Sequence, residues 1–247
     1  MTVAPAVAED APDRAAGVPA RAGPIHLSLS EVAALAAKAA RGAGLSWGVA
    51  EEAAYAARWL AAHELAGATL VWRHLVAVDG RAWRELAPVV GSEGWRTATG
   101  AALSPLAAGP ALADRAGLAD GPGGEPTLLQ VGDPALLLPF AALAAPPLGG
   151  PLRVVWDGVV AVVDPAGGLA VEVIGSGLDA RRAAVVTIAP AERAPAEPAR
   201  APRPPGAVAC AVPTAVRCGL EALAARTYVP ATAASRAGAG AGTHDPD

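Results

Sequence analysis

Apolar residues first recur at helical spacing after residue 28. Val32, Leu35, Ala36 and Ala39 fall on one face, Ser28 stands three residues before Glu31, and Gly42 and Gly44 close the run. A serine hydroxyl and a glutamate carboxylate at that spacing can cap each other's backbone amides, so the pattern predicts a first helix over residues 29–41. Ser46 can cap a second helix. Its stripe is Val49, Ala53, Ala56 and Leu60, and Glu51 and Glu52 sit early, where carboxylates suit the positive end of the helix dipole. Gly67 lies just beyond its end. A third helix over residues 69–78 carries Leu70, Leu75 and Val78, and Asp79-Gly80 is a turn signal. Short links make these neighbours antiparallel.

Beyond Pro88 the period changes. Residues 128–131, 153–163, 170–174 and 184–188 are short runs, several rich in Val, bounded by Gly, Pro and Asp, which is how strands read. Residues 152–163 read as two strands about Asp157-Gly158, a favoured hairpin dipeptide. Residues 207–212 add a strand, and Pro213 opens a helix towards Arg226. The fold class expected is α+β, with N-terminal antiparallel helices followed by a mainly antiparallel sheet region and preceded by a disordered N-terminal arm. In boundaries, residues 1–25 form the arm and residues 26–230 a single domain, helical over 28–87 and sheet-rich over 126–212. Pro, Ala and Arg make residues 190–205 an exposed linker, and residues 231–247 form a Gly/Ala-rich tail.

Composition alters this picture in one respect. Of 247 residues, 53% are hydrophobic, but 66 are alanine, so about half of the apolar total is methyl groups, which still leaves a core for one domain of ordinary size. Five tryptophans, Trp47, Trp59, Trp72, Trp83 and Trp95, fall at intervals of 11 to 13 residues. Their flanks do not match and helical repeats run longer, so they read as core anchors, one per helix.

Charge excludes several partners. The net charge is −4 and the arginines are scattered, so no basic face is available to neutralise a run of phosphates, which argues against nucleic acid. The most apolar window, residues 136–148, contains Pro139, Pro146 and Pro147 and falls short of a membrane span. The N-terminus lacks the pattern of an export signal. The expected location is therefore cytoplasmic, with Cys210 and Cys218 as reduced thiols.

Local motifs carry little chemistry. Gly175-Ser-Gly177-Leu-Asp-Ala180 has the spacing of a dinucleotide turn, but the next strand begins too soon for a crossing helix, so it reads as a hairpin or bulge turn. The histidines His26, His63, His74 and His244 show no metal-ligand spacing, which leaves only a site assembled in three dimensions. Two Gly-Ala-Gly segments are more informative. In one, Lys38 and Arg41 at the end of the first helix face Trp47, Glu51 and Glu52 at the start of the second. In the other, Tyr228 leads through Ser235 and Arg236 to alternating Gly and Ala and then Asp245. Folded back on the helical link, that tail would offer free amides and charges to an anionic ligand. The alternatives are a dipole-compensated helix connection and a frayed end.

Together these two segments resemble an uncharacterised bacterial family, domain of unknown function 3726. The resemblance rests on Leu27-Ser-Leu-Ser-Glu31, Lys38-Ala-Ala-Arg-Gly-Ala-Gly44, Trp47-Gly-Val-Ala-Glu-Glu52, Thr227-Tyr-Val-Pro230 and the Ser235-Arg236 and Gly-Ala-Gly tail. It would cover residues 25–247 and strengthens the two segments as a site without naming a reaction. Residues 27–67 also look like the N-terminal helices of the malate/L-lactate dehydrogenase family, although Ala68-Thr-Leu-Val-Trp72 stands where that family has Ser-His-Gly. The expected function is a small-molecule-binding or accessory protein of a catabolic pathway, its partners a small anionic metabolite or another protein. The alternative is a small enzyme using the helix link and the tail. The cofactor is left open, and no metal is expected.

Overall fold

The computed structural model describes residues 23–119, 121, 125–173, 177–191 and 209–228. Most of the expected arm and linker, and the tail from residue 229, lie outside the described residues. The chain opens with strand β1 (Ile25–Ser28), followed by helix α1 (Leu29–Gly42). Ser28 Oγ accepts from the Glu31 amide at 3.2 Å and Glu31 returns a carboxylate oxygen to the Ser28 amide at 2.7 Å, so the predicted capping box forms. The Glu31 carboxyl is held below its ordinary value by those bonds to Ser28. Helix α2 (Trp47–Ala62) is capped by Ser46, and α3 (Gly67–Val78) starts two residues earlier than predicted. Gly67 opens α3 because a Cβ there would stand 2.3 Å from the Ala57 carbonyl oxygen, too close for any side chain.

After the single turn α4 (Trp83–Leu86), two short strands, β2 (Pro88–Val89) and β3 (Arg96–Thr97), form a small antiparallel pair. Helix α5 (Pro105–Ala116) was not predicted: it contains Gly109 and Pro110, both breakers by propensity. Tertiary packing overrides them, because Gly109 lies directly on the Phe140 ring, where a Cβ would come within 2.1 Å of a ring carbon. Strand β4 (Thr127–Gly132) leads into a 3-10 turn at Pro134–Leu137 and helix α6 (Leu138–Ala144). The first half of this apolar window, excluded above as a membrane span, lies at the buried centre of the fold: every residue from Val131 to Ala142 is buried, whereas Leu143 and Leu148 are exposed. No described helix is long and apolar enough to cross a membrane.

Strands β5 (Leu152–Trp156) and β6 (Val159–Val163) make the expected hairpin, with Trp156 paired to Val159 across Asp157-Gly158. Gly158 takes φ +76°, which the tight turn requires. Strands β7 (Leu169–Val173) and β8 (Arg182–Pro190) complete a five-stranded antiparallel sheet of order β4-β8-β5-β6-β7. Residues 175–180 were expected as a hairpin or bulge turn, but the strands they join are not neighbours. Of these, the described residues Gly177–Asp179 form a 3-10 turn at the end of the β5–β6 hairpin, where the Trp156 indole N–H donates to the Gly177 carbonyl at 2.9 Å. Pro190, expected in the linker, pairs with Leu152 inside the sheet.

Alternation puts Leu152, Val154, Trp156, Val159, Ala161 and Val163 on the inner face, and α6 covers β5 and β6. Strand β9 (Ala209–Val212) lies outside this sheet. It pairs with β1, so Ile25, placed in the arm by composition, is a strand residue. Helix α7 (Thr214–Ala225) then packs on α1. Gly42 permits that contact: a Cβ there would fall 1.8 Å from the Leu223 carbonyl oxygen. Cys210 Sγ donates to the Leu27 carbonyl and Cys218 is exposed, both free thiols; burial pushes the Cys210 thiol up.

Candidate functional site

At the α1–α2 link, the Arg41 guanidinium donates to the Leu45 carbonyl and lies 4.6 Å from the Trp47 ring centre. Sequence proximity thus becomes a cation–π contact, although Trp47 remains 71% exposed. Lys38 and Glu51 are exposed, and among the described residues no ion pair joins Lys38 or Arg41 to Glu51 or Glu52. Glu52 is half-buried; burial, then the Asp114 and Glu51 charges, push its carboxyl up. Tyr55 is pushed up to about 12 by burial and by Glu52, and its hydroxyl donates to the Pro139 carbonyl. Tyr228 is exposed beyond α7, and Ser235, Arg236 and Asp245 lie outside the described residues.

The most complete constellation of polar side chains is elsewhere and spans three segments. His74, on α3, sends Nε2 to Ser104 Oγ at 2.9 Å and Nδ1 to Asp133 Oδ2 at 3.2 Å. Arg73 Nε donates to the other Asp133 oxygen at 2.5 Å. His74, Ser104 and Asp133 are 2–3% exposed. With the proton on Nδ1, His74 donates to the carboxylate and accepts the serine proton, so every group in the chain is paired.

Local structure explains the convergence. Gln130 takes a left-handed φ of +54° within β4. Around it, Leu103 N–H donates to the Gln130 carbonyl and Gly132 N–H to the Leu103 carbonyl, which fastens the segment before α5 to the edge of β4. Ser104 is delivered beside Asp133 in this way. It occupies the cap position of α5, yet its hydroxyl makes no capping bond and goes to His74 instead. Asp133 is also left-handed, at φ +47° and ψ +61°, a conformation short polar residues tolerate best. A buried carboxylate on a left-handed backbone, bonded to both Arg73 and His74, is held there by the surrounding contacts.

Above this network is a cavity of about 450 Å³ lined by Thr69, Trp72, Arg73, Val76, Ala77, Asp133 and Arg181. Arg73 is already committed: its remaining nitrogens donate to the Asp179 and Ala180 carbonyls. Arg181 is exposed and has no ion-pair partner among the described residues. The Trp72 indole forms a wall and is itself backed by Gly219 of α7, where a Cβ would stand 2.2 Å from its nitrogen. The lining therefore carries one uncompensated positive charge, an aromatic face and the apolar Val76. Ser104 does not line the cavity, so the Ser–His–Asp arrangement lacks the access that a nucleophile needs; it braces Asp133 and, through it, Arg73.

Residues 27–102 match the family model described as protein of unknown function DUF3726. This segment is similar to DUF3726. The match is shorter than the sequence resemblance implied. It spans the three-helix unit and both members of the Arg73-His74 pair, and it stops just before Ser104, so the remaining partners come from outside the DUF3726 segment. No curated protein and no solved structure matches the chain. Sequence reasoning noted His74 only as lacking local ligands and passed over Ser104 and Asp133; the one local signal was the Ser-Pro at the start of α5.

Proposed function

We propose that the protein binds a small organic anion in the cavity between α3 and the start of β8, with Arg181 holding the anionic group and Trp72 and Val76 the apolar body. The observation that supports this most strongly is the partition of the two arginines: Arg73 is neutralised and fixed by the buried Asp133, whereas Arg181 beside it is not. A planar guanidinium suits carboxylate or phosphate oxygens, and the cavity falls in the size range of small-molecule sites. The buried brace supports this arrangement because Arg73, held by Asp133, bonds the Asp179 and Ala180 carbonyls and so fixes the backbone just before Arg181.

A thermal-shift screen tests the reading with inorganic phosphate, acetate, succinate and benzoate, read on the wild-type chain and on Arg181→Glu. A ligand present at 100 times its Kd adds about 2.7 kcal/mol of stability. A saturable rise in melting temperature that the variant lacks supports the proposal. Equal response of both proteins to every anion, or no response, removes it.

A further inference from the structure

We propose that the outer face of the five-stranded sheet docks onto the same face of a second copy of this chain. Helix α6 covers the inner face. The outer face stays accessible: Val185 is 44% exposed, Arg153 and Glu172 are exposed, and Val155, Val160 and Val162 are half-buried. An antiparallel sheet with one face in water alternates apolar-in and polar-out. Here four outward positions on β5, β6 and β8 carry valine instead. Val155 pairs with Val160 and with Thr187, so Val162 and Val185 each lie two residues along the face from that row, and the four make one patch.

Two charges frame the patch, and their placement selects a second copy as the occupant. Arg153 pairs with Val162, and Glu172 pairs with Val160. The two therefore flank β6 from opposite sides, two residues apart along it. Strand spacing and rise put their Cα atoms about 12 Å apart, and neither has an ion-pair partner among the described residues. A two-fold axis lying between two such faces, and passing over β6 midway between Val160 and Val162, exchanges the two positions. Arg153 of each copy then stands over Glu172 of the other, with the valines meeting between them in an isologous contact.

The shape of the face agrees with this. At the hairpin end is a concavity of about 460 Å³ whose lining includes Val155, Asp157, Val160, Glu172, Val185 and Thr187. Its lining carries two carboxylates and no cation, and Arg153 lies outside it on the same face. The two-fold axis carries Arg153 of the other copy into it, where the aliphatic stem lies along valine and the guanidinium meets the carboxylates. Five strands by five residues span about 24 by 17 Å, roughly 400 Å² a side. That is the size of weak, reversible contacts, so the dimer is expected in the micromolar range and above.

Sedimentation velocity of the full chain at physiological salt, from about 5 to 500 µM, tests this across the range of weak interfaces. The wild-type chain should pass from monomer to dimer. Arg153→Glu and Glu172→Arg each set like charges together at both contacts, and each should weaken association at least tenfold. An equimolar mixture of the two variants restores opposite charges at both contacts and should recover the dimer, which also shows that both variants fold. A wild-type chain that stays monomeric at the top of the range overturns the proposal and leaves the face to a different partner. So does a dimer that both variants form as tightly as the wild type, which places the interface elsewhere, or a mixture that associates no better than its components.

Discussion

Replacing Asp133 by alanine probes the network that organises the candidate site. The carboxylate is 3% exposed and accepts from Arg73 and His74, whose side chains are 15% and 3% accessible. Truncation strands a guanidinium N–H and an imidazole nitrogen away from water. Removing one partner of such a buried pair costs about 3–5 kcal/mol, and an alanine held in the left-handed region adds about 1 kcal/mol. For a chain of this size each kcal/mol lowers the melting temperature by about 2–4 °C, so Asp133→Ala should lower it by about 10–20 °C. Asp133→Asn keeps the backbone preference and one acceptor oxygen, loses the charge-assisted bond, and should cost about 2 kcal/mol. Urea unfolding followed by tryptophan fluorescence measures both. A double-mutant cycle with Arg73→Met separates the pair from other losses and should return a coupling above about 1 kcal/mol. If both Asp133 variants fall within about 0.5 kcal/mol of wild type, as exposed surface substitutions do, the carboxylate is solvated and the brace does not exist.

Further outcomes follow from particular contacts. Gly42→Ala forces α1 away from the Leu223 backbone and should destabilise by about 1–3 kcal/mol in the same assay; an unchanged midpoint would contradict the α1–α7 packing. Glu52 has its carboxyl pushed up in the folded state, so its ionised form costs stability above the folded pKa, and the cost disappears below the unfolded value. Glu52→Gln should therefore raise the melting temperature at neutral pH, with the gain shrinking as pH falls through the carboxylate range; a gain independent of pH would contradict this. Ser104 should resist a fluorophosphonate probe, read by intact-mass spectrometry, because it does not face the cavity, and stoichiometric labelling would make it a nucleophile. Ser104→Ala leaves the His74 Nε2 unpaired and should cost about 1–3 kcal/mol.

What could be read in the sequence was what local chemistry controls. The Ser28–Glu31 box, the Ser46 cap and the Asp157-Gly158 hairpin each depend on residues within four positions of one another, and each formed. Pairings between distant segments were not legible: β1 meets β9 across more than 180 positions, so Ile25 looked like part of an unstructured arm. Helix α5 was hidden because Gly109 and Pro110 oppose it locally, and only the Phe140 ring on the far side explains the glycine. The Ser104–His74–Asp133 chain joins positions 30 and 59 apart, and no spacing rule reaches that far. At the α1–α2 link the sequence did bring Arg41 and Trp47 together, but the partners assigned to them from the tail lie beyond the described residues.

The division of labour between the two arginines is the central claim, and arginine side-chain NMR tests it most directly. In the protein without ligand, the Arg73 Nε–H should be slow to exchange and shifted by its carboxylate partner, while the Arg181 Nε–H exchanges rapidly. Titration with a carboxylate or phosphate that stabilises the protein should shift and sharpen the Arg181 resonance saturably and leave the Arg73 resonance nearly in place. An Arg73 Nε–H that exchanges as fast as that of Arg181, or an Arg181 resonance unmoved at saturating ligand, would contradict the account.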